Sequence, residues 1–544
     1  MPETKSKMSQ QEQMVKGTAW STAGNFVSRL LGALYIIPWY AWMGQHATEA
    51  NALFNMGYNI YAYFLLISTT GLNVAIAKQV AKYNSMGQEE RSYQLIRSTL
   101  KLMLVLGLVF AAIMFFGSPI FAGLSGGGSD LVPIMHSLSL AVLVFPAMSV
   151  IRGVFQGYND LQPFALSQIA EQIVRVIWML LTAFMIMKLG SGNYITAVTQ
   201  STFAAFIGMI ASLIVLFYYL QKNNLLANIL KKSDQNLNLD VKGLLLETLK
   251  ESIPFIIIGS AIQAFQIIDQ WTFVNTMSLF TNFSRRELWV MFGYFSANPS
   301  KITMILIAVA GSIGGVGIAL LTENFVKKDM KAAAKLIIHN IEMLLVFLLP
   351  AVTGAVILAK PLYAVFYGIA EPLAVRLFIV VLIEALILGF YTLLAPMLQA
   401  LFENRKAMLY FAYGLIVKII LQIPFIYLFH AYGPLLSTAI AMGVPIYLMY
   451  KRLHQVTHFN RVPIRRTSLL ILILTAIMAL VVTLGYFLLG LILPVTNRYI
   501  SVFYLVILGS LGIGIYGYLA LLTRLLDKFI GQKAAQLRLR FKVR

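Results

Sequence analysis

Long apolar runs separated by short polar stretches occupy the chain from residue 17 to residue 523. A helix that crosses a bilayer needs roughly 20 consecutive apolar residues. Runs of that kind fall near 17–43, 53–77, 98–124, 131–151, 162–187, 196–220 and 251–278. A second set follows near 288–322, 336–359, 377–400, 407–429, 432–450, 467–493 and 499–523. The expected fold class is therefore an all-α integral membrane protein with fourteen transmembrane helices. The run at 288–322 is long enough to be tilted or broken.

Composition agrees and excludes a soluble domain. Of the 544 residues, 59% are hydrophobic and 12% charged, and the mean hydropathy is +0.78. A soluble protein is nearer half apolar and a quarter charged. The net charge of +21 would suggest nucleic acid in a soluble chain, but here it marks cytoplasmic loops. With the amino terminus taken as cytoplasmic, 32 Lys and Arg fall in inside segments and 6 in outside loops. One missed span would invert every later loop, so the bias supports the count and predicts that both termini are cytoplasmic. Cysteine is absent, which excludes disulfides and thiolate chemistry. Residues 1–16 are polar and lack a cleavable signal's apolar region, so the first span is expected to be retained.

The chain echoes itself at an offset of 243 residues. FQGYNDLQPFALSQIAEQIVRVI (155–177) lies over LQALFENRKAMLYFAYGLIVKII (398–420), matching Gln156 with Gln399, Asp160 with Glu403 and Arg175 with Lys418. Six spans separate the copies, so the repeats run parallel, the pattern of transporters whose lobes alternate access around a central site. The expected organisation is an N-terminal lobe over 1–220, a cytoplasmic linker over 221–245 and a C-terminal lobe over 246–455. Residues 456–544 then supply two appended spans and a basic tail. Each lobe would hold six helices, related by pseudo-symmetry.

Seven ionisable residues lie within predicted spans: Arg29, Glu171, Arg175, Asp269, Lys301, Glu384 and Lys418. A charge at mid-membrane costs about 2.5–3.5 kcal/mol on insertion scales, so each is expected to face the interior or a wet cavity. Glu171 and Arg175 are four apart in the favourable order, which allows a self-neutralising brace as readily as a functional pair. Lys418 fits a counter-ion for Asp269 or Glu384 as well as it fits a cavity cation. Arg29 and Lys301 have no acid within one helical turn, which favours a role in binding. Several fixed cations suit a diphosphate, because Arg bonds phosphate strongly and often bidentately. The histidines form no HExxH motif, so no metal site is expected, and SGGGSD (125–130) reads as a flexible loop. Arg285 and Arg286 read as solvated loop charges.

KGTAWSTAGNFVSRLLGALYIIPWYAWMG (16–44), ALFNMGYNIYAYFLLISTTGLNVAIAKQVAKYNSMG (52–87) and VIRGVFQGYNDLQPFALSQIAEQIVRVI (150–177) carry a resemblance. They resemble the polysaccharide-transport branch of the multidrug/oligosaccharidyl-lipid/polysaccharide exporter superfamily. Within it the chain is similar to the YtgP-like, MurJ-type lipid II flippases of Gram-positive bacteria, with SpoVB as a relative. The resemblance implies fourteen spans in two lobes and a cationic central cavity. It also implies transfer of undecaprenyl-diphosphate-linked peptidoglycan precursor from the inner to the outer leaflet of a bacterial cell membrane. Arg29 falls where the family keeps a first-helix cavity arginine, Tyr35 stands where Gram-negative members place a second, and Lys301 lies near a second-lobe arginine. Some relatives bind sodium in the second lobe. Asp269, Gln399 and Glu403 are candidates for that role here, with Lys418 able to replace the ion.

These readings make Arg29, Lys301, Arg175 and Lys418 the candidate substrate-binding cations. Glu171, Asp269, Glu384, Gln399 and Glu403 are the supporting polar groups. No cofactor is expected, coupling to membrane potential, Na+ or H+ stays open, and peptidoglycan synthases are candidate partners. Rival cargoes are a capsule or teichuronic-type lipid-linked unit, or a drug exported against a cation. A membrane glycosyltransferase would need clustered outer-face acids, and Glu49, Asp130, Glu287 and Glu371 form no cluster in the sequence. A scaffold that transports nothing would make every buried charge a brace.

Overall fold

The structure is a computed structural model that describes residues 34–69, 72–158, 160–230, 253–369 and 371–540, with isolated positions among 28–32 and at 243. Every regular element among the described residues is a helix. Nine of these helices are long and apolar enough to cross a bilayer, or ten if a bent pair is taken as one span. One of the nine, Asn404–Thr457, is divided by a tight turn at His430–Tyr432. The chain separates into two compact units, Met1–Asn275 and Thr276–Arg544.

The first unit contains α1 (Ile36–Met43), α2 (Ala47–Thr69), α3 (Leu72–Ser85), α4 (Glu89–Phe116), α5 (Ser118–Leu124), α6 (Gly128–Gly157), α7 (Leu161–Phe184), α8 (Tyr194–Lys222) and α9 (Leu225–Leu230). After them come α10 (Ile253–Gly259) and most of α11 (Ala261–Phe280), bent by 53° relative to each other. Side-chain caps set several starts. Asp160 accepts from the Gln162 N–H before α7, and Asn193 accepts from Ile195 and Thr196 before α8. Such caps satisfy N–H groups that a helix cannot pair by itself. α6 is the most enclosed long helix of this unit and packs against α2, α3, α4 and α8. α7 is the least enclosed, and it turns Ile173, Ile177 and Leu181 outward in an i, i+4, i+8 stripe. Apolar side chains left exposed in that register are what a lipid-facing helix presents.

The SGGGSD loop is more constrained than its composition suggests. Gly126 and Gly128 have φ of +68° and +58°, a region that favours glycine. A Cβ on Gly126 would come within 2.5 Å of Val274 on α11. Ser125 is buried and accepts from Gln270, which also bonds the Met56 carbonyl and accepts from Asn59. The loop is thus a fitted seat for α11, and the expectation of simple flexibility is corrected.

The second unit holds α12 (Arg285–Phe292), α13 (Asn298–Val326), α14 (Met330–Ile357), α15 (Ala359–Tyr367), α16 (Pro372–Ala400), α17 (Asn404–Phe429) and α18 (Gly433–Thr457). After these come α19 (Arg461–Ile492), α20 (Arg498–Leu522), α21 (Asp527–Ile530) and α22 (Gln532–Arg540). The long apolar run at 288–322 is interrupted: a π-helical turn at Gly293–Ala297 separates α12 from α13. Single π-turns relieve an otherwise continuous helix and shift its register. Ser284 and Glu287 form a capping box at α12, and the Ser284 backbone and side-chain bonds hold the Glu287 carboxyl below its usual range. Arg285 and Arg286 therefore begin a helix instead of lying in open loop. α16 is the most enclosed long helix here, as α6 is in the first unit. Met478, Val482, Tyr504 and Leu508 pack α19 against α20, and the Tyr516 hydroxyl ties α20 to the Val346 carbonyl of α14 at 3.0 Å.

Candidate functional site

In the first unit the charged residues of α7 are organised by neighbours the sequence did not single out. Arg152, counted from sequence among loop cations, is buried near the end of α6. A charge removed from water needs an opposite charge and hydrogen bonds around it. Arg152 obtains both. Its Nη2 donates to Glu171 Oε2 at 2.8 Å and to Ser212 Oγ at 2.9 Å, and its Nε donates to Ser167 Oγ at 3.1 Å. The guanidinium also lies 5.9 Å from the centre of the Phe164 ring. Arg152 therefore joins α6 to both α7 and α8. Glycine permits the close approach, since a Cβ on Gly208 of α8 would meet the Glu171 carbonyl oxygen at 2.7 Å and Arg175 Cβ at 3.1 Å.

The brace that the spacing of Glu171 and Arg175 allows does not form. Among the described residues the ion pair of Glu171 is with Arg152, one helix away. Arg175 turns to α2, where its Nη2 donates to the Tyr58 hydroxyl at 2.9 Å and its guanidinium sits 5.2 Å from the ring centre. Tyr58 stacks on Phe54 at 5.7 Å and touches Tyr61 at 5.2 Å. Cation–π contact of this kind holds a guanidinium without neutralising it. One turn along α7, the buried Trp178 indole N–H has no hydrogen-bond partner.

Lys418, which matches Arg175 at the 243-residue offset, is placed differently. It has no exposed surface. Its ammonium donates to the Pro434 carbonyl at 2.9 Å, Ser437 Oγ at 2.8 Å and Thr438 Oγ1 at 2.6 Å, all on α18. Ser437 donates in turn to Gln422 Oε1 at 2.7 Å. These bonds clamp α17 to α18.

Glu403 pairs with Arg452 at 2.5 Å, partly exposed, across the ends of α17 and α18. The Gln399 amide nitrogen, in the last turn of α16, is buried without a partner. Glu384 on α16 and Asp269 on α11 are buried. Lys301 lies in the first turn of α13 and is partly buried. Arg29 lies outside the described residues. The first unit thus brings Glu171 and Arg175 into one neighbourhood with Arg152, Tyr58 and Trp178, whereas in the second Lys418 and Glu403 occupy separate contacts. No three His, Asp or Glu side chains converge as metal ligands among the described residues.

Comparison with known proteins accounts for most of the chain. The family described as polysaccharide biosynthesis protein matches residues 14–325. The lipid II flippase MurJ of Bacillus subtilis (strain 168) is 32% identical over 539 residues, covering 96% of this chain and 97% of that protein. A solved structure of the lipid II flippase MurJ in an inward closed conformation matches with a TM-score of 0.67 at 16% identity, covering 94% of this chain and 99% of that one. An inward-facing multidrug resistance MATE family transporter of the MOP superfamily matches with a TM-score of 0.58 at 15% identity, covering 79% and 98%. The two solved structures establish the fold, and the match to the Bacillus sequence runs almost end to end. The chain is a multi-pass protein of the cell membrane and belongs to the polysaccharide biosynthesis protein family, in the branch that contains MurJ of Bacillus subtilis.

Proposed function

We propose that the protein is a flippase that carries undecaprenyl-diphosphate-linked peptidoglycan precursor, lipid II, from the inner to the outer leaflet by alternating access. The observation that carries this reading is the 32% identity with the Bacillus lipid II flippase MurJ along nearly the whole of both chains. The half-buried Arg175 supports it, because a diphosphate can offset the desolvation cost of such a cation as it binds. Arg175 receives the diphosphate in this reading, together with Lys301 and Arg29, while Lys418 braces α17 against α18. Asp269, Glu384 and Gln399 are polar support near the path, and Glu403 acts through Arg452. The reading has fourteen spans, both termini in the cytoplasm of a Gram-positive cell, and no enzymatic step. A cytoplasm-negative potential, worth about 2.3 kcal/mol per charge per 100 mV, draws the unloaded cations back inward. Peptidoglycan synthases are the proposed recipients of the exported precursor.

The test is expression in a bacterium depleted of its own lipid II flippases, with the leaflet of lipid II read by an externally added enzyme. Restored outer-leaflet lipid II is expected. Growth failure with precursor retained inside, at normal protein level, would reject the cargo. A second reading, export of another lipid-linked oligosaccharide, is favoured by the broad family description, and the same strain separates the two.

A further inference from the structure

Glu171 and Arg175 stand four residues apart on α7, a spacing at which opposite charges ordinarily pair. They do not pair here, because Arg152 reaches in from α6 and takes Glu171 at 2.8 Å, fixed there by Ser167 and Ser212. The second repeat supplies an internal control. At the 243-residue offset, Arg152 corresponds to Ala395, Glu171 to Gly414 and Arg175 to Lys418. Where the acid is missing, the second arginine is missing too, and the remaining cation donates to hydroxyl and carbonyl oxygens of α18. Where the acid is present, so is a dedicated partner for it. Arg175 is then left half-buried against Tyr58, with the unpaired Trp178 N–H one turn away. An arginine and an indole N–H on one helix face are both donors, and donors are what a phosphate oxygen accepts from.

We infer that Arg152 is a positioning residue that holds Glu171 away from Arg175, leaving Arg175 and Trp178 to receive a phosphate oxygen of the cargo. This deepens the flippase reading and rests on it. Without Arg152, Glu171 swings to its i+4 neighbour and cancels the charge the cargo needs. Glu171 itself helps seat Arg152 between three helices, which accounts for an acid being kept so close to a binding cation.

The test uses the full-length protein in the depleted strain, with lipid II export per molecule of membrane-inserted protein as the readout. Arg152→Gln keeps a donor for Ser167 and Ser212 and is expected to lower export about tenfold, the scale of one lost charge-assisted bond. Adding Glu171→Gln to it is expected to return export to within about threefold of wild type, because the competing charge is gone. Adding Glu171→Gln to Arg175→Ala is expected to restore nothing. Purified protein gives a second readout: inorganic pyrophosphate should quench tryptophan fluorescence in wild type and in the Arg152→Gln/Glu171→Gln double variant, and not in Arg152→Gln. Should the single variant fail to accumulate, Gln172→Glu tests the same competition with the Arg152–Glu171 pair intact. It places an acid three residues before Arg175 and is expected to cost about tenfold in export. The inference is overturned if Arg152→Gln or Gln172→Glu exports normally, or if the double variant is no better than the single. Failure of the wild-type chain to restore lipid II export would instead reject the flippase reading, and the pyrophosphate arm would still judge the site.

Discussion

α7 and α17 carry basic residues that match at the 243-residue offset, yet they treat them in opposite ways. Arg175 rests on an aromatic ring, partly open, with its neighbouring acid taken by another arginine. Lys418 is wholly enclosed and donates to three oxygens of the next helix. The environment decides what a buried cation does: a π-face and one phenol leave its charge available, whereas carbonyl and hydroxyl oxygens consume its donors. The close packing differs as well. In the first unit the glycine that admits it, Gly208, lies on the partner helix, whereas in the second it is Gly414 on α17 itself, where a Cβ would meet the Ala441 carbonyl oxygen at 2.9 Å. The two matched positions keep a basic residue and put it to different use.

The sharpest way to break this comparison is to neutralise both residues at similar volume. Arg175→Met is expected to reduce lipid II export about tenfold, and Lys418→Met by less than about twofold, at matched protein level. Equal losses in the leaflet assay would erase the distinction. Lys418→Ala adds a cavity and strands the α18 oxygens, so thermal unfolding in detergent should show a loss of roughly 2–4 kcal/mol, with Arg175→Ala costing clearly less. Gly208→Leu and Gly414→Leu test whether the two close approaches are equivalent. Each is expected to cost about 1–3 kcal/mol by overpacking, read as reduced thermal stability of the purified protein. The smallest effects lie at the helix starts. Asp160→Ala removes the α7 cap and is expected to cost about 1 kcal/mol. Glu403→Gln loosens a partly exposed ion pair worth about 0–1 kcal/mol, so a larger loss there would show that the α17 start is the more heavily used.

The helical ground plan was readable because apolar run length is dictated by bilayer thickness: the helices α4, α6, α7, α8, α14, α16, α17, α18, α19 and α20 all lie over runs marked in the sequence. The match at the 243-residue offset stands out because a basic residue inside an apolar run is rare enough to align upon. The pairing inside the first unit was not. Arg152 sits at the edge of its run and so resembles a loop charge until α6 is seen to continue to Gly157. The i, i+4 rule describes an isolated helix, and a cross-helix guanidinium overrode it. Tyr58 and Trp178 lie inside apolar runs, and nothing in one chain's spacing says which ring lies beneath which cation. The glycine loop was misread for a related reason: composition reports freedom, while the positive φ of Gly126 and its contact with Val274 report fit.

The outward stripe of Ile173, Ile177 and Leu181 lies on the same helix as Arg175, about half a turn around the axis from it. A single helix about 10 Å thick therefore divides hydrocarbon from guanidinium. An amphiphile with a long isoprenoid chain and a charged head can straddle that partition, its tail left among the acyl chains and its head on the other side. Passage then demands a slot as wide as the head group alone, and tail length drops out of the steric requirement.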